Sequence, residues 1–299
     1  MNNATESLNP PANPQRRGLF AEWSEMIKLE HTVFALPFAL SGLLLASTGW
    51  PSLETVFWTI AAFAGARAAS MTLNRLIDAK IDARNPRTKD RSIPAGRISV
   101  KQAVLFSVGS FAIMAIAATR LPVLCVQLLP VAVIWLSVYS FTKRFTWLCH
   151  IILGIAIGGA ALGGWVAAGG TLQAPAAWVL MLAVATWVGS FDIIYACQDV
   201  DIDRKEKLHS MPAKFGVAAA LNISSALHVV TVLSLVGVGL ICQLGAFYWL
   251  GFTIVVGMLI YEHSIVKPND LSRVNAAFFT VNGVVSILMF LAILLDKLF

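Results

Sequence analysis

Two short stretches, NRLIDAKID at residues 74–82 and DIIYACQDVDID at residues 192–203, are the most informative part of this sequence. Each carries two aspartates four residues apart: Asp78 and Asp82 in the first, Asp199 and Asp203 in the second. On a helix, side chains at this spacing lie on one face about 6 Å apart, and two carboxylates there repel each other. Oxygen ligands in this pattern suit a hard cation such as Mg²⁺, which also binds phosphate groups. The pattern therefore predicts a Mg²⁺ site.

The two stretches repeat each other in register. Asp199 lies 121 residues after Asp78, and Asp203 lies 121 residues after Asp82. Further on, SIPA at residues 92–95 is echoed by SMPA at residues 210–213. A parallel repeat of about four helices would bring both acidic sets to one end of a bundle. A solvated loop face is the alternative interpretation, and the doubled register argues against it.

The surrounding sequence is typical of a membrane protein. Of 299 residues, 58% are hydrophobic and 13% are charged, whereas soluble domains have about 25% charged residues. The mean hydropathy is +0.75. Nine apolar stretches have about the length needed to span a bilayer: residues 31–49, 54–77, 100–119, 121–141, 147–168, 176–197, 216–240, 246–265 and 275–296. The sequence thus predicts an all-α, polytopic membrane protein.

The segments outside the spans predict the organisation and orientation of the chain. Residues 1–19 are polar and are predicted to be a flexible tail, and residues 20–299 an integral membrane domain. The domain begins with a short amphipathic helix at 20–30, expected to lie on the membrane surface. With the N-terminus in the cytoplasm, 19 of the 22 lysines and arginines fall on the cytoplasmic side; Arg67, Arg120 and Lys297 are the exceptions. The positive-inside rule therefore predicts a cytoplasmic N-terminus and active site, in a cell inner membrane.

Small and reactive residues add two expectations. Five glycines of the fifth span are expected to allow close helix packing: Gly154, Gly158, Gly159, Gly163 and Gly164. The four cysteines form no CxxC pair, and the five histidines show no HxxxH or HExxH spacing. Neither a zinc site nor a redox motif is therefore predicted.

Basic side chains crowd both acidic stretches. Arg75, Arg87 and Arg91 accompany the first stretch, and Arg204 and Lys205 the second. Carboxylates for Mg²⁺ beside lysine or arginine for phosphate oxygens is a combination that binds a diphosphate. Membrane topology alone also places basic residues here, so no single one of them is decisive. The net charge of +6 is explained by topology, and nucleic acid is not an expected partner.

These motifs resemble those of the UbiA-type membrane prenyltransferases. NRLIDAKID (74–82), followed by RTKDR (87–91), is similar to the first aspartate-rich motif of that family. DIIYACQDVDID (192–203) is similar to the second motif. YSFTKR (139–144) resembles the basic motif after the fourth helix. The likeness extends from about residue 25 to residue 295.

The resemblance implies nine transmembrane helices around a central chamber and Mg²⁺-dependent transfer of a polyprenyl chain from its diphosphate to an aromatic acid. It implies that the metal–diphosphate is held by Asn74, Asp78, Asp82, Asp199 and Asp203. Contacts to the diphosphate or to a carboxylate of the acceptor are expected from Lys143 and Arg144. Lys28 stands where the family often has a basic residue, and Arg75 and Arg91 are expected beside the diphosphate because of their charge.

Three residues are predicted to take part in the chemistry: Arg144, Asp192 and Tyr195. Asp192 and Tyr195 lie about one helical turn apart near the predicted metal ligands. Either side chain could accept a proton from the acceptor or orient it. A structural hydrogen bond is the alternative role for Tyr195.

The finer pattern bears on the acceptor. KLEH (28–31), YACQD (195–199) and KLHS (207–210) are similar to the 4-hydroxybenzoate polyprenyltransferase-like subgroup, which favours 4-hydroxybenzoate and ubiquinone biosynthesis. The same subgroup includes enzymes of futalosine-route menaquinone biosynthesis, so 1,4-dihydroxy-6-naphthoate is a second candidate. A membrane transporter is the alternative class. Its charges would lie near the bilayer midplane, whereas these lie at the ends of spans.

Overall fold

The computed structural model describes residues 18–28 and 32–299. In chain order, the elements are α1 (Leu19–Ile27), α2 (Thr32–Ala46), α3 (Leu53–Asp82), α4 (Val100–Ala118), α5 (Val123–Val138), a 3-10 helix (Tyr139–Arg144), α6 (Cys149–Ala167), α7 (Pro175–Ala196), a 3-10 turn (Cys197–Asp199), α8 (Val200–Lys205), α9 (Met211–Phe215), α10 (Val217–Ile241), α11 (Ala246–Ile265), a π-helical turn (Ala276–Val281) and α12 (Asn282–Leu298). The predicted tail, residues 1–19, lies almost entirely outside the described residues.

The nine predicted spans all coincide with helices of the described chain. Eight of these helices are long and apolar enough to cross a membrane, and the shorter α2 takes the place of the first predicted span. The largest difference in length is in α3, which continues to Asp82 rather than ending near residue 77. Both aspartates of the first motif therefore remain on this helix. The all-α membrane fold is confirmed.

The helices also confirm the repeat of 121 residues. Adding 121 to the bounds of α2 gives 153–167, which lies within α6. In the same way α3 corresponds to α7 and its extension, α4 to α10, and α5 to α11. The second motif departs from a single helix, because Asp199 ends a 3-10 turn and Asp203 lies in the separate helix α8.

Glycines bring α6 close to its neighbours on two sides. A Cβ atom on Gly164 would collide with the carbonyl oxygen of Ala39 in α2, and one on Gly154 would collide with that of Ala185 in α7. Gly158 is similarly close to α7. Gly159 and Gly163 have nothing within 4 Å of the position of a Cβ atom, so the expectation of close packing was wrong for these two. They face away from the helix contacts.

The loops at the end where α3 and α7 finish are folded onto the bundle. We call this the site end, formed by residues 82–99 and 197–211. The helix α1 packs here through Trp23, whose ring stacks on Phe106 at a centroid distance of 4.3 Å. One face of this helix therefore contacts protein, and its predicted place on the membrane surface stays a prediction. The backbone N–H of His209 donates to the carbonyl of Lys143 at 2.7 Å.

Candidate active site

A cavity of about 500 Å³ opens at the site end, between the ends of the two repeats. Its wall includes eleven of the twelve residues predicted for the site: Lys28, Asn74, Arg75, Asp78, Asp82, Arg91, Lys143, Asp192, Tyr195, Asp199 and Asp203. The twelfth, Arg144, lies behind Asp78 rather than on the wall. The two motifs, more than 100 residues apart in sequence, therefore converge on one space.

Asp78 is neutralised by two cations. The carboxylate is 2% exposed, and its Oδ2 lies 2.5 Å from Nζ of Lys143. Its Oδ1 accepts a hydrogen bond from Nη2 of Arg144 at 2.9 Å. Arg144 also donates to the carbonyls of Ile77 and Ser140, at 2.9 and 3.1 Å. This arginine therefore joins the 3-10 helix to the end of α3.

Asp82 is held by the loop that follows α3. Nη1 of Arg91 lies 2.7 Å from both carboxylate oxygens. The hydroxyl of Thr88 donates to the backbone carbonyl of Asp82 at 3.1 Å. The loop thus turns back over the helix end, which places Arg91 on the cavity wall beside the acidic cluster.

Asp199, in the second motif, is bound by residues of the first motif. Arg87 donates from Nε to Oδ1 at 3.0 Å and from Nη2 to Oδ2 at 2.5 Å, and Nδ2 of Asn85 lies 3.3 Å from Oδ1. Nη1 of Arg87 also donates to the hydroxyl of Tyr195 at 3.1 Å. Burial lowers the pKa of Arg87, but its hydrogen bonds and attraction to Asp199 outweigh this, and the net pKa is raised. Arg87 is therefore a charged link between the two halves.

A second link crosses the site end in more exposed surroundings. Arg84 forms a bidentate ion pair with Glu206, and its hydrogen bond lowers the pKa of that carboxyl. The Arg84 side chain is 55% exposed. Solvent screens exposed pairs of this kind, so this link contributes little to stability.

The donor set on the wall is chemically suited to a hard divalent cation. Carboxylate and amide oxygens from both motifs face the same cavity, and such ligands are preferred by Mg²⁺. Among the described residues, no three acidic, histidine or cysteine side chains are gathered into a finished metal site. Lysine and arginine side chains instead compensate Asp78, Asp82 and Asp199. The donor set thus fits a metal ion that binds together with an anion. The metal would bind the carboxylates, and the anion would bind the lysine and arginine side chains that the metal displaces.

Two further guanidinium groups line the cavity, those of Arg67 and Arg75. Neither has an ion pair or hydrogen bond among the described residues, but the charges of Asp82 and Asp78 act on Arg75. Nε of Arg67 is buried and unpartnered, about 16 Å along α3 from Asp78. An unpaired buried cation is costly unless a ligand supplies an anion. Arg67 is therefore a candidate anion site deeper in the cavity than the aspartates.

Aromatic rings form the apolar part of the wall. Tyr195 packs on Phe278 with ring centroids 4.2 Å apart, and Phe191 meets Phe278 edge-on at 5.2 Å. Phe278 and Phe279 belong to the π-helical turn before α12. Nδ2 of Asn282 donates to the carbonyl of Ala277 at 3.0 Å, which supports this turn. Aromatic faces of this kind stabilise cations in a dry space.

His150 joins the wall next to Asp192. It is 4% exposed, and its Nδ1 lies 2.6 Å from Oδ2 of Asp192. Its other ring nitrogen, Nε2, accepts the backbone N–H of Met211 at 3.3 Å. The three elements α6, α7 and α9 meet at this imidazole.

Comparison with known proteins places the chain in a family. The model of the UbiA prenyltransferase family matches residues 35–294. The chain belongs to this family. It is 32% identical to a 4-hydroxybenzoate octaprenyltransferase of Vibrio cholerae over 249 residues, which are 82% of this chain and 86% of that protein. A 4-hydroxybenzoate octaprenyltransferase of Nitrosomonas europaea is 29% identical, with 93% and 95% of the two chains covered.

Solved structures of other UbiA proteins have the same fold. The apo structure of a UbiA homolog from Aeropyrum pernix K1 matches with a TM-score of 0.82 and 33% identity, over 89% of this chain and 98% of that one. A UbiA homolog from Archaeoglobus fulgidus, bound to GPP and Mg²⁺, matches with a TM-score of 0.73, covering 93% and 100%. At 21% identity the second likeness shows the fold alone.

The resemblance read from the motifs is thereby confirmed, and the protein is a multi-pass membrane prenyltransferase of the UbiA family. The wall of this prenyltransferase also includes side chains that were not among the predicted site residues, among them Arg67, Arg87 and His150. Arg67 carried a usable signal, because an arginine within a membrane span is functional by default. His150 has no sequence motif around it, and Arg87 stood among several basic residues that topology also explains.

Proposed function

We propose that this prenyltransferase transfers a polyprenyl group from its diphosphate to the ring of 4-hydroxybenzoate, with Mg²⁺ as its metal, in quinone biosynthesis. The observation that carries the proposal is the cavity itself. It combines carboxylates from both repeats, cations that can turn to a phosphate, an aromatic wall and the unpaired Arg67. The relatives named 4-hydroxybenzoate octaprenyltransferase support this choice of acceptor.

The polar end of the cavity would hold the metal and the diphosphate. The metal ligands would come from Asn74, Asp78, Asp82, Asp199 and Asp203, which all line this end. Bound Mg²⁺ would neutralise the diphosphate and make it a better leaving group. Lys143, Arg91 and Arg87 each hold a carboxylate that the metal would take over, and can then bind phosphate oxygens. Arg75 lies on the same wall and would supply a further phosphate contact.

Bond formation would take place between the polar end and the aromatic wall. The bond between C1 of the prenyl group and the diphosphate oxygen breaks, and its electron pair leaves with the diphosphate. Rings of Tyr195, Phe191 and Phe278 stabilise the positive charge on the allylic carbon and exclude water from it. A ring carbon of the acceptor bonds to C1, and the ring then loses its proton to a base. Asp192 lies between Phe191 and Tyr195 in the sequence of α7, so its carboxylate is the candidate for this base.

The deep end of the cavity would bind the carboxylate of the acceptor. Arg67 offers a planar guanidinium suited to a carboxylate. The test is an acceptor panel with the full chain in lipid nanodiscs, a long polyprenyl diphosphate and Mg²⁺. The panel contains 4-hydroxybenzoate, 1,4-dihydroxy-6-naphthoate and phenol, which lacks the carboxylate. We expect transfer to 4-hydroxybenzoate in strong preference to phenol.

Variants of Arg67 connect the panel to the structure. Arg67→Ala should lower kcat/KM for 4-hydroxybenzoate about tenfold to a hundredfold, the range for one hydrogen bond to a charged group. The rate with phenol should hardly change. Arg120→Ala, at an exposed position in a different pocket, is the matched control. Preference for the naphthoate would overturn the acceptor assignment alone, and absence of any transfer would overturn the proposed chemistry.

The protein would work in the cell inner membrane, surrounded by the lipid bilayer, with the site end facing the cytoplasm. The site end carries most of the basic loop residues, which supports this orientation under the positive-inside rule. Lys89→Cys at the site end and Thr48→Cys near the opposite end, both exposed, can be labelled in intact cells with an impermeant maleimide. We expect labelling of position 48 alone, and the reverse pattern would refute the orientation.

A further inference from the structure

One buried pair on the cavity wall has a geometry that the proposed chemistry does not explain: His150 and Asp192. Asp192 lies in α7 about one turn before Tyr195, and His150 is the second residue of α6. Their hydrogen bond, 2.6 Å from Nδ1 to Oδ2, crosses between the two helices. At the site end, Asp78, Asp82 and Asp199 instead face lysine or arginine. Asp192 therefore differs from them in its partner.

The imidazole is held by hydrogen bonds at both ring nitrogens. The backbone N–H of Met211 points at Nε2 at 3.3 Å. On the other side of the ring, Nδ1 faces the carboxylate and donates its N–H to it. The segment before Met211 is fixed because His209, two residues earlier, is tied on both sides: its N–H donates to the carbonyl of Lys143, and its carbonyl accepts from Sγ of Cys149. His150 is thus a hydrogen-bond donor on a rigid support.

The second oxygen of Asp192 remains available. Oδ1 accepts no hydrogen bond from any residue that the structure describes, and the Asp192 side chain is 25% exposed on the cavity wall. The hydrogen bond from Nδ1 fixes the direction in which the carboxylate points. Hydrogen bonds to an ionised acceptor are shorter and about twice as strong as neutral ones. The pair therefore presents a negatively charged oxygen, in a fixed direction, to whatever occupies the cavity.

We infer that His150 is a positioning residue, which holds Asp192 so that Oδ1 accepts the hydrogen bond of the ring hydroxyl of the acceptor. The inference rests on the proposed function, because it requires a hydroxylated aromatic acid in the cavity. With its carboxylate on Arg67 and its hydroxyl on Asp192, the acceptor is held at two opposite ends. The polarised hydroxyl donates electron density to the ring carbon that attacks the prenyl group.

A double-mutant cycle tests whether His150 acts through Asp192. His150→Ala should lower kcat/KM for 4-hydroxybenzoate about tenfold to a hundredfold, as expected for loss of a hydrogen bond to a charged group. The KM for the polyprenyl diphosphate should be unchanged. In the Asp192→Asn background, His150→Ala should lower kcat/KM by less than about a further twofold, because the effects of two residues that act as a unit are not additive. His150→Gln carries both a donor and an acceptor and should recover most of the loss.

Controls separate this role from a structural one. His228 is as buried as His150, but its Nδ1 pairs with His263 and it does not line the cavity. His228→Ala should therefore leave kcat/KM for the acceptor within about twofold. If His150→Ala does not fold, His150→Gln and His150→Met, two side chains of similar length, take its place in the cycle.

Three outcomes would overturn the inference. Additive losses in the cycle, or an equal rise in KM for both substrates, would show that His150 does not act through Asp192. An active His150→Met variant would show that the hydrogen bond is dispensable. If the wild type transfers to no hydroxylated aromatic acid, the proposed function fails and the inference fails with it. This failure is distinguishable from a failure of the inference alone, because it is seen in the wild type without any variant.

Discussion

The two aspartate motifs occupy equivalent places in the repeat, yet they are compensated in different ways. In the first half, Asp78 is neutralised by Lys143 and Arg144, and Asp82 by Arg91. In the second half, Asp199 takes its arginine from the other motif. Asp192, seven residues earlier, has His150 as its partner. The repeat therefore duplicated the acidic side chains without duplicating their partners.

This asymmetry follows from where the basic residues lie. The positions 121 residues after Lys143 and Arg144 are Ser264 and Ile265, so the second half has no counterpart of this cation pair. Asp199 is compensated by Arg87, from the loop of the first half that crosses to it. The first half therefore supplies the cations for both motifs, and the second half supplies the remaining carboxylates.

Metal removal should have the largest effect on activity and little effect on the fold. Chelation with EDTA should abolish prenyl transfer, because the diphosphate then loses its counter-ion. A structural zinc site needs its metal in order to fold, whereas these carboxylates are already compensated by lysine and arginine. The Tm of the nanodisc-embedded protein should therefore shift by less than about 3 °C, equivalent to about 1 kcal/mol. A collapse of the Tm on chelation would show that the metal holds the two halves together.

Removing one carboxylate charge from each half tests the comparison directly. Asp78→Asn and Asp199→Asn should each lower kcat about a thousandfold or more, since several kcal/mol of charge stabilisation are lost. Stability should separate them. Asp78→Asn leaves two cations without a carboxylate at a buried position and should cost about 2 kcal/mol, whereas Asp199→Asn leaves only the partly exposed Arg87 and should cost about 1 kcal/mol.

Thermal unfolding and single-turnover transfer measure these two quantities on the same preparations. Glu54→Gln, which removes an exposed carboxylate at the opposite end of α3, is the control for both variants. Equal losses of stability in the two motif variants would remove the asymmetry that we draw between the halves.

The two arginines that cross between the halves should differ in importance. Arg87→Ala removes the partner of Asp199 and a contact to Tyr195, and should lower kcat/KM about tenfold to a hundredfold. Arg84→Ala removes an exposed pair with Glu206, and should change kcat/KM by less than about twofold. Steady-state assays over both substrates test this pair. If both variants were equally impaired, the crossing contacts would matter for assembly and not for the chemistry.

The amino-acid sequence predicted the helices and the acidic registers because strong constraints act on both. A backbone inside a bilayer must satisfy its own hydrogen bonds, so nine apolar stretches are helices with little ambiguity. The offset of 121 residues is simple arithmetic on Asp78 and Asp199, and it predicted their convergence. Asp82 and Asp203 followed from the same register and Asn74 from the resemblance to the family, and all of them line the cavity.

The partners of these carboxylates were beyond prediction because they depend on irregular structure. The loop over residues 83–99 has no periodicity, so nothing in it indicated that Arg87 would reach Asp199 while Arg91 returns to Asp82. The pairing of His150 with Asp192 needs α6, α7 and α9 together. The π-helical turn that carries Phe278 is likewise set by Asn282 at the start of the next helix.

The smallest predicted effect concerns a pair of glycines at equivalent positions of the repeat. Gly42 in α2 and Gly163 in α6 are 121 residues apart, but only Gly42 is in close contact, where a Cβ atom would collide with the carbonyl of Ala161. Gly42→Ala should therefore destabilise the bundle by about 2 kcal/mol through overpacking, which lowers the Tm by about 6 °C. Gly163→Ala meets open space and gains helix propensity of up to about 1 kcal/mol, so its Tm should be equal to or slightly above that of the wild type. Thermal unfolding in nanodiscs compares the two variants. A similar fall in the Tm of both would mean that the two halves pack alike, and the difference between the halves would then be confined to the charges at the site end.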